Sequence, residues 1–289
     1  MRRHPGAAAA AAAVAPCLVA FALLGLGPQP TLGTEATVEL PLVYLRAPAP
    51  RDRVHPAATG GTGIVYTPLD IQQGYGYGEE IPTRGGAGKT VAVVDAYGDP
   101  TLSADVATFD AAFGLPPATV QVVPVDGGPN GTNLDWAVET ALDAEWAHAS
   151  APAAQVDVFV VPTGSYQDLL DGLAAAVRTP GVAAISLSWG APEADFAAND
   201  CVLGRRTESC LDAYEAVLQQ AARQGVAVFA ASGDQGAFDG TQPATLTVDY
   251  PASSPEVVGV GGTTLTLLCE AACTYEHETA WEGSGDGYS

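Results

Sequence analysis

Basic residues are the scarcest feature of this chain. Its 289 residues hold 11 Lys and Arg against 33 Asp and Glu, a formal net charge of −22. A nucleic-acid surface needs clustered cations to meet phosphates, so that class of partner is excluded. The acid surplus suits a protein working at low pH, where protonation relieves self-repulsion, although halophilic adaptation would leave a similar balance. Phosphate-cradling motifs are missing too. No Gly-x-Gly-x-x-Gly follows the first predicted strand and no Gly-x-x-x-x-Gly-Lys-Ser/Thr occurs, which argues against dinucleotide and nucleotide enzymes. Cysteine is sparse. Apart from Cys17, the four cysteines fall in two close pairs, Cys201 with Cys210 and Cys269 with Cys273. Neither pair reads as Cys-x-x-Cys and no histidine stands at ligand spacing, so loop-closing disulfides outrank zinc and no metal ligand is assigned.

The amino terminus reads as a secretory signal over residues 1–33. Arg2 and Arg3 precede apolar runs at 7–13 and 18–26, and Thr31-Leu32-Gly33 offers a cleavage region. An exported, extracellular protein is therefore expected, with no membrane attachment once the signal is cleaved. Residues 34–63, rich in Pro, Ala, Gly and Arg, read as a linker or a remnant of a pro-segment. Regular patterning begins near residue 64. Apolar β-branched runs at 90–94, 120–125, 156–161, 182–187, 226–230 and 257–260 alternate with helical stretches at 102–113, 134–149, 166–177 and 209–224. This alternation predicts an α/β fold with a parallel sheet covered by helices on both faces. Ligands of such sheets bind beyond the carboxyl ends of the strands. Three strand ends carry polar residues: Asp95, Ser188-Trp189-Gly190, and Ser232-Gly233-Asp234.

The most informative feature is a pair of acids four residues apart. On a helix, Glu139 and Asp143 share one face, and Asp135 extends the row by one turn, with Trp146 in the same arc. No Lys or Arg occurs between Lys89 and Arg178 to neutralise it. Like charges at this spacing destabilise a helix by roughly 0.2–0.5 kcal/mol per pair. A solvated acidic face would tolerate the row. The rest of this helix, however, is Leu134, Trp136, Val138, Leu142 and a run of alanines, and a helix apolar nearly all round is a buried one. The acids are therefore expected to line a cleft, where burial and a neighbouring carboxylate raise pKa values and equip a pair for acid/base work.

Seven stretches in register resemble the sedolisins, serine-carboxyl peptidases related to subtilisin. They are Thr90-Val-Ala-Val-Val-Asp-Ala-Tyr-Gly-Asp-Pro100, Glu139-Thr-Ala-Leu-Asp-Ala-Glu-Trp-Ala-His-Ala149, Ser186-Leu-Ser-Trp-Gly190, Ala231-Ser-Gly-Asp-Gln-Gly236, Tyr250-Pro-Ala-Ser-Ser-Pro255, Val260-Gly-Gly-Thr-Thr-Leu265 and Glu278-Thr-Ala-Trp-Glu282. The resemblance implies a subtilisin-like fold over 64–289, polypeptide substrates and a monomer. It implies that Glu139 is the general base for a serine nucleophile, with Asp143 as the second carboxylate that holds it. Asp234 takes the place of the oxyanion-hole aspartate, which helps only when protonated and donating. Ser188, Trp189, Gly190, Ser232 and Gly233 correspond to the substrate-binding stretches. Asp95 is read as structural, and His148 as a packed helix residue. The resemblance departs at the nucleophile: the family's Gly-Thr-Ser occurs nowhere in the chain. The expected reading is thus a peptidase domain whose carboxyl-terminal part is missing, inactive by itself, without cofactor. Calcium is expected only for the full-length family domain. A non-catalytic, peptide-binding relative of such a protease is the alternative.

Overall fold

A computed structural model describes residues 66–77, 84–238, 245–269, 272–287 and 289. The expected signal (1–33) and linker (34–63) lie outside the described residues. A short helix, α1 (Pro68–Gly74), comes first, closed by a capping box between Thr67 and Asp70. The alternating region follows: β1 (Thr90–Ala96), α2 (Leu102–Phe113), β2 (Thr119–Pro124), α3 (Leu134–Ser150), β3 (Gln155–Val161), α4 (Tyr166–Arg178) and β4 (Val182–Leu187). An excursion of short elements comes next: β5 (Ala191–Pro192), α5 (Glu193–Ala198), β6 (Asp200–Leu203) and β7 (Arg206–Ser209). Then come α6 (Cys210–Gln224), β8 (Ala227–Ala231), β9 (Asp249–Tyr250), β10 (Val258–Val260), and the hairpin of β11 (Thr263–Cys269) with β12 (Cys273–Ala280).

Local signals set the helix ends. Asn133 caps α3 by accepting from the amides of Asp135 and Trp136 at 3.0 and 3.2 Å. Ser165 and Ser209 do the same for α4 and α6. Gly114 and Gly225 end α2 and α6 in the left-handed conformation that suits glycine.

Six strands form one parallel sheet in the order β10-β8-β4-β1-β3-β2. Burial on both faces explains why the central strands read as continuous apolar runs rather than alternating ones. On one face Ala92, Val94, Phe159 and Val161 pack beneath α4 and α6. On the other, Val93, Val156, Val158 and Val160 meet Leu102 and Val106 of α2 and Ala144 of α3. The predicted α/β parallel sheet with helices on both faces is what the chain adopts.

The connection through α3 is unusual. From β1 the chain crosses to β2 through α2, then returns one strand to β3 through α3, and both helices lie on the Val93 face. Opposite travel on one face means opposite hand. The α4 connection travels in the same direction as α3 on the other face, so it shares the hand of α2. Crossovers of parallel strands are right-handed in ≈98% of cases, which marks α3 as the exception. The exception sets the acid-bearing helix directly behind β1 and β3.

Both cysteine pairs are joined as disulfides, Cys201–Cys210 and Cys269–Cys273. Each clips a hairpin too short and polar to be read from hydrophobic pattern. The first ties β6 to the start of α6 beside the core, and the second closes the end of β11–β12. His148 is wholly buried. Its Nε2 lies 2.8 Å from Pro116 O and 3.3 Å from Asp110 Oδ1, so it joins α3 to the end of α2 as a packed, bonded residue.

Candidate active site

The acidic row of α3 divides on folding. Glu139 is buried, with 3% of its surface exposed. Asp143 is partly covered, and its Oδ2 is closed to water. Asp135, one turn earlier, is exposed, and Trp146 turns to α2, where it stacks edge-on against Phe109 at 6.1 Å. The expectation that all three acids face a cleft therefore holds for two. Nor is α3 buried all round: Leu134 is 66% and Val138 38% exposed. Alanine supplies much of the apolar count, and its small side chain lets α2 cover only part of the circumference.

Strand ends converge on the buried pair. Ser188 follows β4, and its hydroxyl donates to Asp143 Oδ1 at 2.7 Å. Asp95 lies on β1 and is wholly buried. Strand alternation places it on the Val93 face, beneath α3. Among the described residues neither oxygen of Asp95 has a hydrogen-bond partner; the hydroxyl of neighbouring Thr140 donates to Trp136 O at 2.8 Å. Three carboxyls thus share one poorly solvated space. Burial, then the charges of Asp143 and Glu139, hold the Asp95 carboxyl well above its ordinary range. Burial, then Asp143 and Asp234, push Glu139 up to about 8, with the Ser188 hydroxyl partly offsetting. Burial pushes Asp143 up to about 7, again opposed by Ser188. Asp95, read from the sequence as structural, is thus a buried neighbour of the pair. Its signal was present in the sequence, a lone carboxylate ending an otherwise apolar strand, but only the register of α3 against β1 reveals what it faces.

The third wall is the loop after β8. Asp234 is half-buried and close enough to raise the Glu139 pKa, and burial raises its own. Gly233 has φ +97°, which orients the turn and is strained for any residue with a Cβ. Ser232 is held at both ends: its amide donates to Val260 O at 3.0 Å and its hydroxyl to Gly285 O at 3.0 Å. Residues 283–285 lie against this loop, with Gly236 N donating to Gly283 O and Gly285 N to Gly233 O. The approach is so close that a Cβ on Gly285 would fall 1.7 Å from Ser232 O. Glu139, Asp143, Ser188, Ser232, Gly233 and Asp234 are thereby brought to one end of the sheet.

Trp189 and Gly190 belong to the same wall in a different way. The Trp189 indole is wholly buried, donates to Val94 O at 2.7 Å and packs edge-on to Tyr214. Gly190 is backed by Asp249, which a Cβ would meet at 3.0 Å. The Trp189 side chain thus belongs to the core. Trp189→Ala should cost about 3–5 kcal/mol and shift the urea midpoint sharply downward; a shift under about 1 kcal/mol would show that the indole is not holding β4 to β1.

Among the described residues, the one group with metal-ligand spacing is Asp70 with Cys269 and Cys273. Its sulfurs are tied in a disulfide, and calcium takes six to eight oxygens, so this group does not fit the calcium that the family resemblance implies. No helix among the described residues is long and apolar enough to cross a membrane.

The model of the Subtilase family matches residues 128–285, a span that starts before α3 and ends just past the loop wall. The chain belongs to the subtilase family. Within the subtilases it is 34% identical over 235 residues to kumamolisin of Bacillus sp. (strain MN-32), covering 78% of this chain and 38% of that protein. It is 28% identical over 254 residues to sedolisin of Pseudomonas sp. (strain 101), covering 79% and 40%. It therefore spans about two fifths of the length of these relatives. A solved structure, Pseudomonas sedolisin (serine-carboxyl proteinase) complexed with two molecules of pseudo-iodotyrostatin, superposes with a TM-score of 0.67. That match has 26% identity and covers 79% of this chain and 64% of the other. These relatives identify the chain as a subtilase of the sedolisin kind.

Proposed function

We propose that this subtilase supplies the acid half of the active site of a secreted, acid-acting serine-type endopeptidase. The observation that carries the reading is the convergence of Glu139, Asp143 and Asp234 from α3 and the β8 loop into one shielded space. In the proposed reaction a serine hydroxyl attacks the carbonyl carbon of a peptide bond while Glu139, in its ionised form, accepts its proton. Protonation of Asp143 and Asp234 at low pH removes the two charges that add to burial in holding the Glu139 pKa up. Asp143, held by Ser188, steadies and tunes that base as an aspartate steadies histidine in the ordinary triad. Asp234 in its protonated form donates to the developing oxyanion; ionised, it would repel it. Glu139 then returns the proton to the departing amine. The backbone of Ser188–Gly190 and Ser232–Gly233 would flank a bound polypeptide as edge strands do. The relatives' names, kumamolisin and sedolisin (serine-carboxyl proteinase), support the class, and the signal-like residues 1–33 support secretion.

The alternative is a peptide-binding relative without catalysis. Peptide hydrolysis separates the two. The 289-residue chain should show no turnover on an unfolded protein at pH 3–5, whereas a form carrying the Gly-Thr-Ser segment should cleave it and lose activity as pH rises. In that form Asp234→Asn, whose amide donates at any pH, should flatten the loss. An unchanged pH profile would remove Asp234 from the oxyanion role.

A further inference from the structure

A groove runs between α2 and α3, on the flank of α3 that turns away from Asp95. It encloses about 430 Å³. Phe109 and Phe113 form one wall, and Leu134, Val138 and Leu142 the other. Leu134 and Val138, at 66% and 38% exposure, are apolar side chains on a helix that carries its catalytic acids on another face. Nothing in the proposed reaction uses them, and they sit together along one groove rather than scattered singly.

The rim is acidic. Asp99, Asp105 and Glu145 line the same groove, and the Thr101 hydroxyl joins the first two, lying 2.9 Å from Asp99 Oδ1 and 2.7 Å from Asp105 Oδ2. No Lys or Arg lies between Lys89 and Arg178, the stretch that supplies both helices, so this part of the chain brings no cation of its own. Burial first, and then the charges of Asp105, Asp110 and Asp99, push Glu145 up to about 7, so like charge adds to the cost of ionising it. An arriving cation would relieve that cost. An apolar trough with one-signed walls selects for the complement of both properties.

We infer that the α2–α3 groove docks a cationic, amphipathic polypeptide segment, seating its apolar side chains against Val138 and Phe109 and its Lys or Arg against Asp99, Asp105 and Glu145. A helical segment with apolar residues at i, i+3, i+4 and i+7 matches a trough between two helices. This docking is separate from hydrolysis and does not require it, so a chain without turnover tests it equally well.

The probe is a fluorescein-labelled helical peptide with leucines at i, i+3, i+4 and i+7 and lysines between, titrated into the full chain by anisotropy at about 0.15 M salt. Saturable binding is expected. Val138→Asp and, separately, Leu134→Asp should each weaken it at least tenfold, and the double change Asp105→Lys, Glu145→Lys should do likewise. The sign is decisive, because each aspartate adds negative charge. Diffuse attraction to a chain of net charge −22 would leave the affinity unchanged or tighten it, and that result would overturn the inference. Equal binding of the counterpart peptide with glutamate for lysine would overturn the role of the rim. Concentration-dependent self-association abolished by Val138→Asp would show that a second copy covers the groove instead. Both aspartate positions are exposed, and circular dichroism of each variant should match the parent.

Discussion

The melting temperature of the chain should be highest near pH 3–4 and fall by on the order of 10 °C as pH rises to 8. The sign follows from the buried acids. Glu139 and Asp143 have folded-state pKa values near 8 and 7, and Asp95 is held high as well. In the unfolded chain the same groups titrate near 4. Between those limits the folded state binds more protons than the unfolded one, so stability declines as pH climbs. The contribution is fully present below about pH 4 and is lost through about pH 8, on the order of 5 kcal/mol for the coupled group. The net charge of −22 acts in the same direction, which makes single variants the test. Glu139→Gln or Asp95→Asn should flatten the profile and raise the melting temperature at pH 8 above the parent's. Were both variants to melt parallel to the parent between pH 4 and 8, the buried acids would not be the source, and general repulsion would be.

In a form carrying the nucleophile segment, Glu139→Gln should lower kcat by roughly 10³–10⁴-fold, because an amide cannot accept the serine proton. Asp143→Asn should do comparable damage through orientation. Ser188 donates to Asp143 Oδ1, and an amide there can turn its NH₂ toward Glu139 and misdirect it. Substrate KM should change little in both, since neither residue is proposed to hold the peptide. Activity within tenfold of the parent in either variant would remove that residue from the mechanism. Residual catalysis above background is expected from the remaining groups, as in other triads.

Legibility differed by element, for physical reasons. The central strands were readable because burial on both faces demands near-continuous apolar runs rich in β-branched residues, as in Val91-Ala-Val-Val94 and Val158-Phe-Val-Val161. Helices α2, α3, α4 and α6 were readable from their period, and the structure adds the caps, such as Asn133 and Ser209, that set their ends. The β6–β7 and β11–β12 hairpins were not: their strands are short or largely exposed, so their pattern carries little apolar signal. Cysteine spacing did point to their clips. At the site, the i, i+4 spacing of Glu139 and Asp143 was visible, but the shift of Asp135 and Trp146 out of the cleft was not. Which flank of a mostly alanine helix meets a neighbour depends on where that neighbour sits.

The order of residues alone specified a parallel α/β sheet, two acids on one helical face and polar residues at the ends of β1, β4 and β8, since period and strand-end position are local properties. Tertiary structure decided three further things. It set α3 behind β1 by a crossover of opposite hand, and so placed Asp95 beneath Glu139 and Asp143 as a third buried carboxyl. It drew the Trp189 side chain into the core. It left Leu134 and Val138 uncovered beside an acidic rim. Each depends on contacts between elements far apart in the chain. Local pattern states that a face must be buried or charged, but not which distant surface will meet it.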